Sequence, residues 1–207
     1  MAKTPAQRIK KHGTKAAIPQ HHLPAVINPT TGRTPQKAQN NSNLIVIAGV
    51  VASLFLFWYV HLLTLNQLTQ LSGGLAMPDS LIGGFDQGFV ERLRSAMDGD
   101  ARGQLNYIHK TAGTLLPLIF GFTWLLLIGT NVARKPLRWA LWAVPLLFAA
   151  VRFWGNAAID SMMSAATIDA GDVALASGLT VAGWVLLVLA LVAGGAAVFL
   201  GRKSTRP

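Results

Sequence analysis

The chain has 207 residues, of which 52% are hydrophobic and 13% charged, no cysteine, and a formal charge of +10. The charged share is about half that of a soluble globular protein, and the lack of cysteine removes disulfide frameworks, thiolate metal sites and cysteine redox chemistry. Because the apolar residues come in blocks, the composition is that of a membrane protein, and the basic excess reads as orientation and attraction to anionic lipid, not as nucleic-acid binding.

Residues 1–43 carry seven Lys or Arg, Lys10 and Lys11 among them, together with five prolines and no acid. Such a segment buries too little apolar area to offset its chain entropy, so it is expected to be a basic cytoplasmic tail, disordered alone or ordered by a partner. The first apolar run follows at 44–65, too late and too long for a cleavable signal, and is expected to be a retained anchor.

Residues 66–110 form the longest polar connection. Within it Phe85, Phe89, Leu93 and Met97 recur every four residues, which predicts an amphipathic helix over about 85–98. Asp100 is expected to cap a following helix that runs into a second span at 111–130, interrupted by Pro117.

The short basic loop with Arg134, Lys135 and Arg138 makes the second and third spans antiparallel neighbours. Pro136 sits in the first turn of the third span, 136–155, whose helical pattern continues past Arg152 toward Met163. Asp172 is expected to cap the fourth span, 173–200, and Arg202 and Lys203 belong to a second basic tail at 202–207. With the basic segments inside, all eight acids fall outside. The expectation is therefore an all-α integral membrane four-helix bundle over 44–201, both termini cytoplasmic, in a bacterial inner membrane. Lys10, Lys11, Arg134, Lys135, Arg138, Arg202 and Lys203 are the expected contacts to anionic lipid headgroups.

In the fourth span Ala193, Ala197 and Gly201 recur every four residues, with Ala190 and Gly194 alongside. Small residues at this spacing let helices approach closely in lipid, and serve either internal packing or a partner interface.

Five histidines raise the question of metal or haem, but His12, His21 and His22 lie in the basic tail. His61 and His109 fall at the outer ends of two spans, where axial haem ligation is conceivable and an interfacial or hydrogen-bonding role is the expected one; no metal and no cofactor is assigned. Arg152, Asn156 and Asp160 share one helix face at steps of four, and Asp160 is about 12 Å from Arg152 along the axis, too far for a simple pair. Arg152 is expected either to reach headgroups or to clamp a polar rim made with His61, Asn106, Tyr107, His109, Asn156 and Asp160.

From "DGDARGQLNYIHK" through "TLLPLIFGF" to "WAVPLLFAAVRFWGNAAI", residues 77–159 resemble a family of small four-helix bacterial integral membrane proteins. Its members carry acids near the end of the third span where this chain has Arg152 and Gly155, while Asn156 matches. The resemblance implies the four-span layout and brings no activity with it. The chain shows no phosphate-cradling glycine loop, zinc-protease pair or nucleophile elbow. The expected function is non-catalytic: an accessory, assembly or stabilising subunit of a larger membrane complex, for instance an energy-converting one. The alternative is a protein that binds haem, quinone or lipid at its outer polar rim.

Overall fold

The computed structural model describes residues 35–204, with side chains over 42–202. It divides into units of 1–41 and 42–207, and every contact given below lies in the second. Of the expected N-terminal tail, residues 35–43 belong to a helix, Pro35–Phe57, while Lys10 and Lys11 lie outside the described residues, as does the Lys203 side chain.

Backbone groups in hydrocarbon must be satisfied within their own segment, which favours long helices wherever the chain is apolar. The chain runs through α1 (Pro35–Phe57), a π-helical turn (Trp58–Thr64), α2 (Leu65–Leu71), a 3-10 turn (Pro78–Ser80), α3 (Gln87–Ala96), α4 (Gly99–Lys110), α5 (Ala112–Asn131), α6 (Lys135–Ser164) and α7 (Ala170–Ser204). Among the described residues there is no strand. Four stretches of the described residues are long and apolar enough to cross a membrane: Ser42–Leu71, Gly99–Asn131, Lys135–Ser164 and Ala170–Arg202.

Three helix starts show how local chemistry sets the boundaries. The amphipathic helix begins where Asp86 accepts a hydrogen bond from the Phe89 N–H at 2.7 Å, and it buries Val90 and Leu93. The cap of α4 is Asp98, bonded to the Ala101 N–H at 2.7 Å, not Asp100, which falls inside the first turn. Likewise α7 starts on Asp169, whose Oδ1 accepts from Gly171 and Asp172, so Asp172 is a capped residue and not the cap. In both corrections the acid that caps lies immediately ahead of the first helical residue, Gly99 or Ala170.

Helices α5, α6 and α7 pack against one another, and α6 against α7 most extensively. On α7, Ala190 and Ala197 are fully buried and Ala193 nearly so. The Trp124 indole of α5 lies across this strip, donating to the Ala190 carbonyl at 2.6 Å. Gly194 makes room for it: a methyl group there would meet Trp124 Nε1 at 2.5 Å. Gly201 does the same under Asn131. The small-residue stripe is thus used for packing between α5 and α7.

At the end of these helices where residues 72–110 connect the first two spans, a second apolar core collects Leu65, Leu68, Met77, Val90, Leu93, Leu105, Ile159 and Met162. Gly84, at φ +81°, turns the chain against α7, where the Phe85 N–H donates to Ser177 Oγ at 2.8 Å. Arg94 reaches the Ala165 carbonyl at 2.7 Å. These contacts fasten the connector onto α6 and α7.

The glycine pair on α7 gives an internal control. Gly194→Leu should destabilise by about 1–3 kcal/mol through overpacking against Trp124, whereas Gly195→Leu, with nothing within 4 Å of an added methyl group, should be nearly silent. Thermal unfolding of the two purified variants in one detergent checks this; equal effects would refute the packing assignment.

Candidate functional site

The connector brings Asp79 down onto the spans. In the sequence it is a lone acid in "LAMPDSLIGG", with Pro78 opening a single 3-10 turn. Met77 and Asp79 are buried to 1% exposure or less. A carboxylate so deprived of water must be compensated, and three elements supply the donors. His109 Nε2 of α4 lies 2.9 Å from Asp79 Oδ2, and Arg152 of α6 donates to Oδ1 at 2.9 Å. The Trp184 indole of α7 donates to the Asp79 carbonyl oxygen at 3.1 Å. The other nitrogen of His109, Nδ1, meets Asp160 Oδ1 at 2.6 Å.

Burial alone would raise the Asp79 carboxyl; the His109 ring, by charge and hydrogen bond, and the Arg152 guanidinium outweigh it and hold the group well below the usual carboxylate range. His109 itself stands between two carboxylate oxygens, so hydrogen-bond satisfaction calls for a proton on each ring nitrogen.

Each side chain is admitted by a local concession. The Arg152 stem crosses Gly183, where a methyl group would meet Cδ at 3.0 Å. Pro117 has no N–H to offer the carbonyl four residues back, and that carbonyl, Gly113 O, instead accepts from Asn156 Nδ2 at 3.2 Å. Gly113 carries no side chain to block the approach. His61 sits in the π-helical turn, a wide turn whose Thr64 hydroxyl caps the Tyr59 carbonyl five residues back at 2.9 Å. Its ring lies 4.7 Å from Phe57 and 5.3 Å from Trp184, and its Nδ1 is buried without a hydrogen-bond partner.

Beneath Arg152 and His61, away from the connector, an apolar cavity of about 200 Å³ lies among α1, α5, α6 and α7. Phe57, Phe120, Trp124, Phe148, Trp184 and Leu187 supply much of its wall. A shallower, polar pocket lies on the other side of His109, with Asn106, Lys110, Asp160 and Ser161 at its edge.

Of the residues expected to form a polar rim, His109, Arg152 and Asp160 are joined into one cluster, through Asp79. Asn156 is buried beside it, and His61 faces the cavity with Arg152. Asn106 reaches only the polar pocket, and Tyr107 is 66% exposed and outside both. Arg152 is a buried clamp, since it is 7% exposed and paired. Both nitrogens of His109 are engaged by carboxylates, which leaves it no lone pair for iron, and among the described residues no group of three or more His, Asp or Glu side chains is arranged to hold a metal ion. Arg134, Lys135 and Arg202 are exposed, while Arg138 lies 5.2 Å over the Trp142 ring. Sequence reasoning missed Asp79 and Trp184. The one available signal for Asp79 was a single acid set in an otherwise apolar stretch of the connector.

No family model, curated protein or solved structure matches the chain.

Removing one partner from a buried ion pair leaves the other uncompensated, so Arg152→Leu and Asp79→Leu should each destabilise by about 3–5 kcal/mol. The double replacement should cost less than the sum, and strict additivity in chemical unfolding would show that the two do not interact. The pH dependence follows from the depressed Asp79 value. Such a group contributes its full stability above its ordinary value of 3.8, and that contribution is lost as the pH falls below it. The stability gap between the unaltered chain and Asp79→Asn should therefore narrow on acidification past 3.8.

Proposed function

We propose that this chain is a non-catalytic, multi-pass membrane protein that holds a largely apolar small molecule between its spans, with the molecule's polar end at Arg152 and His61. The observation that carries this reading is the apolar cavity of about 200 Å³ bordered by Arg152 and by His61, a histidine with an unpartnered ring nitrogen. Buried polar atoms are nearly always satisfied, and an exception on a residue that lines a cavity invites a ligand atom to complete it. For comparison, an apolar cavity of about 150 Å³ accommodates benzene.

In this reading the four spans form a bundle, and the basic loop and tails place both termini on the cytoplasmic side of a bacterial inner membrane. The connector, with Asp79, then lies at the outer face. Anionic lipid contacts Arg134, Lys135 and Arg202. The expectation of an accessory or stabilising subunit draws support from the long basic tail, but no longer from the small-residue stripe, which α5 covers. A bound carrier molecule is equally at home in such a subunit, and the cavity makes ligand holding the more specific statement.

Mass spectrometry of an organic extract tests it. Protein purified in mild detergent should retain one small amphipathic species in near-equimolar amount, and Leu187→Trp, which fills the cavity, should lose it while remaining folded. Absence of any species enriched over bulk lipid, or equal amounts in both proteins, would overturn the reading.

A further inference from the structure

Resting on the cavity reading, we infer that the ligand is a neutral, planar, carbonyl-bearing ring compound of the quinone class, with one carbonyl oxygen accepting from Arg152 and His61 and the ring stacked among the aromatic side chains below.

Three independent features converge on this chemistry. The first is charge balance at the polar end. Arg152 is fixed as a cation, and His109 with a proton on each nitrogen is a second. Asp79 and Asp160 are the opposing carboxylates, each within 2.9 Å or less of its partners. The cluster is neutral as it stands. An anionic head, such as a fatty-acid carboxylate or a phosphate, would enter as an unpaired charge in a desolvated site. A carbonyl oxygen brings hydrogen-bond capacity without charge.

The second is donor availability. Among the described residues the Arg152 guanidinium makes one hydrogen bond, to Asp79, out of five N–H donors. Arg152 also lines the cavity. So does His61, whose imidazole carries one N–H in either neutral tautomer and whose Nδ1 has no hydrogen-bond partner. Two donors bordering one cavity suit a single acceptor oxygen.

The third is the wall. Phe57, Phe120, Trp124, Phe148 and Trp184 line the space, and Phe120 and Trp124 are themselves stacked at 4.1 Å. Flat faces of this kind favour a ring over a flexible acyl chain. Leu54 and Leu191 also border the cavity while remaining 64% and 50% exposed. They mark a lateral opening through which an isoprenoid or alkyl tail can extend into lipid. Toward the start of α1, Gly49 packs directly on Thr123.

The full chain in detergent micelles, titrated with 2-methyl-1,4-naphthoquinone or with laurate, decides the matter. Two of its tryptophans line the cavity, so quenching of tryptophan emission reports occupancy, and calorimetry gives a second readout. The naphthoquinone should bind saturably, and Leu187→Trp should abolish binding. His61→Phe keeps an aromatic ring in place and removes both ring nitrogens, neither of which is hydrogen-bonded among the described residues; it should unfold at the same temperature as the unaltered chain and bind at least tenfold more weakly. Saturable laurate binding without quinone binding would overturn the ligand class while leaving the cavity reading intact. Binding of neither would count against both, and undiminished binding by His61→Phe would overturn the assignment of the head group.

Discussion

A single carboxylate, that of Asp79, sets how the connector end of this protein is organised. Taken out of water on a 3-10 turn, it is tolerable only where donors converge on it, and those donors come from α4, α6 and α7. The requirement acts on every element at once. It fixes how far α4 slides along α6, because His109 must reach both Asp79 and Asp160. It fixes the rotation of α7, because the Trp184 indole must face the turn. A hydrophobic contact could tolerate a shift of an ångström at that end; a charge-assisted hydrogen bond of 2.9 Å cannot. The apolar core around Leu68, Leu93 and Ile159 then supplies bulk stabilisation to an arrangement whose register the polar cluster has selected.

At the other end of the spans the organising constraint is different. There α5 and α7 approach over alanine and glycine, and the specific bonds are indole N–H groups reaching backbone carbonyls, Trp124 to Ala190 and Trp142 to Leu125. Helices in lipid gain little from excluding water from one another, so close backbone approach and occasional hydrogen bonds have to do that work. The cavity lies between these two regimes. Four helices held apart by a bulky polar cluster at one end and drawn together over small residues at the other leave a space between, and the aromatic side chains only partly fill it.

What could be read from the sequence divides along the same line. Spans, the amphipathic helix and the small-residue spacing of the Ala190 stripe are periodic properties, carried by many residues each, and they were legible; the choice between internal packing and a partner interface for that stripe was not. Helix caps were misassigned by a few residues at Asp98 and Asp169, since several acids at each site have the right chemistry and only backbone geometry selects one. The alignment of Arg152, Asn156 and Asp160 on one face was legible, and so was the excess distance between Arg152 and Asp160. The bridge between them was not. Asp79 lies 73 residues from Arg152 and 30 from His109, and no periodicity within one helix reports a contact made by a loop folding back across three others. Nor does sequence announce that a histidine such as His61 will sit in a π-helical turn with its nitrogen unspent.

Arg152 belongs both to the clamp and to the head of the cavity, and this sharing has a consequence for how the proposed site can work. One N–H holds Asp79 and the others border the space where a ligand oxygen would lie, so anything that draws the guanidinium toward the cavity loosens its hold on the connector. A neutral acceptor makes the smallest such demand, because it adds a hydrogen bond without competing for the charge. An anion would compete with Asp79 directly, and the compensation that keeps His109 between two carboxylates would be disturbed with it. Gly183 limits the movement on one side, since the Arg152 stem is packed against α7 there. The proposed ligand therefore takes what Arg152 has left over, and His61, which makes no hydrogen bond among the described residues, is the residue free to discriminate among such ligands.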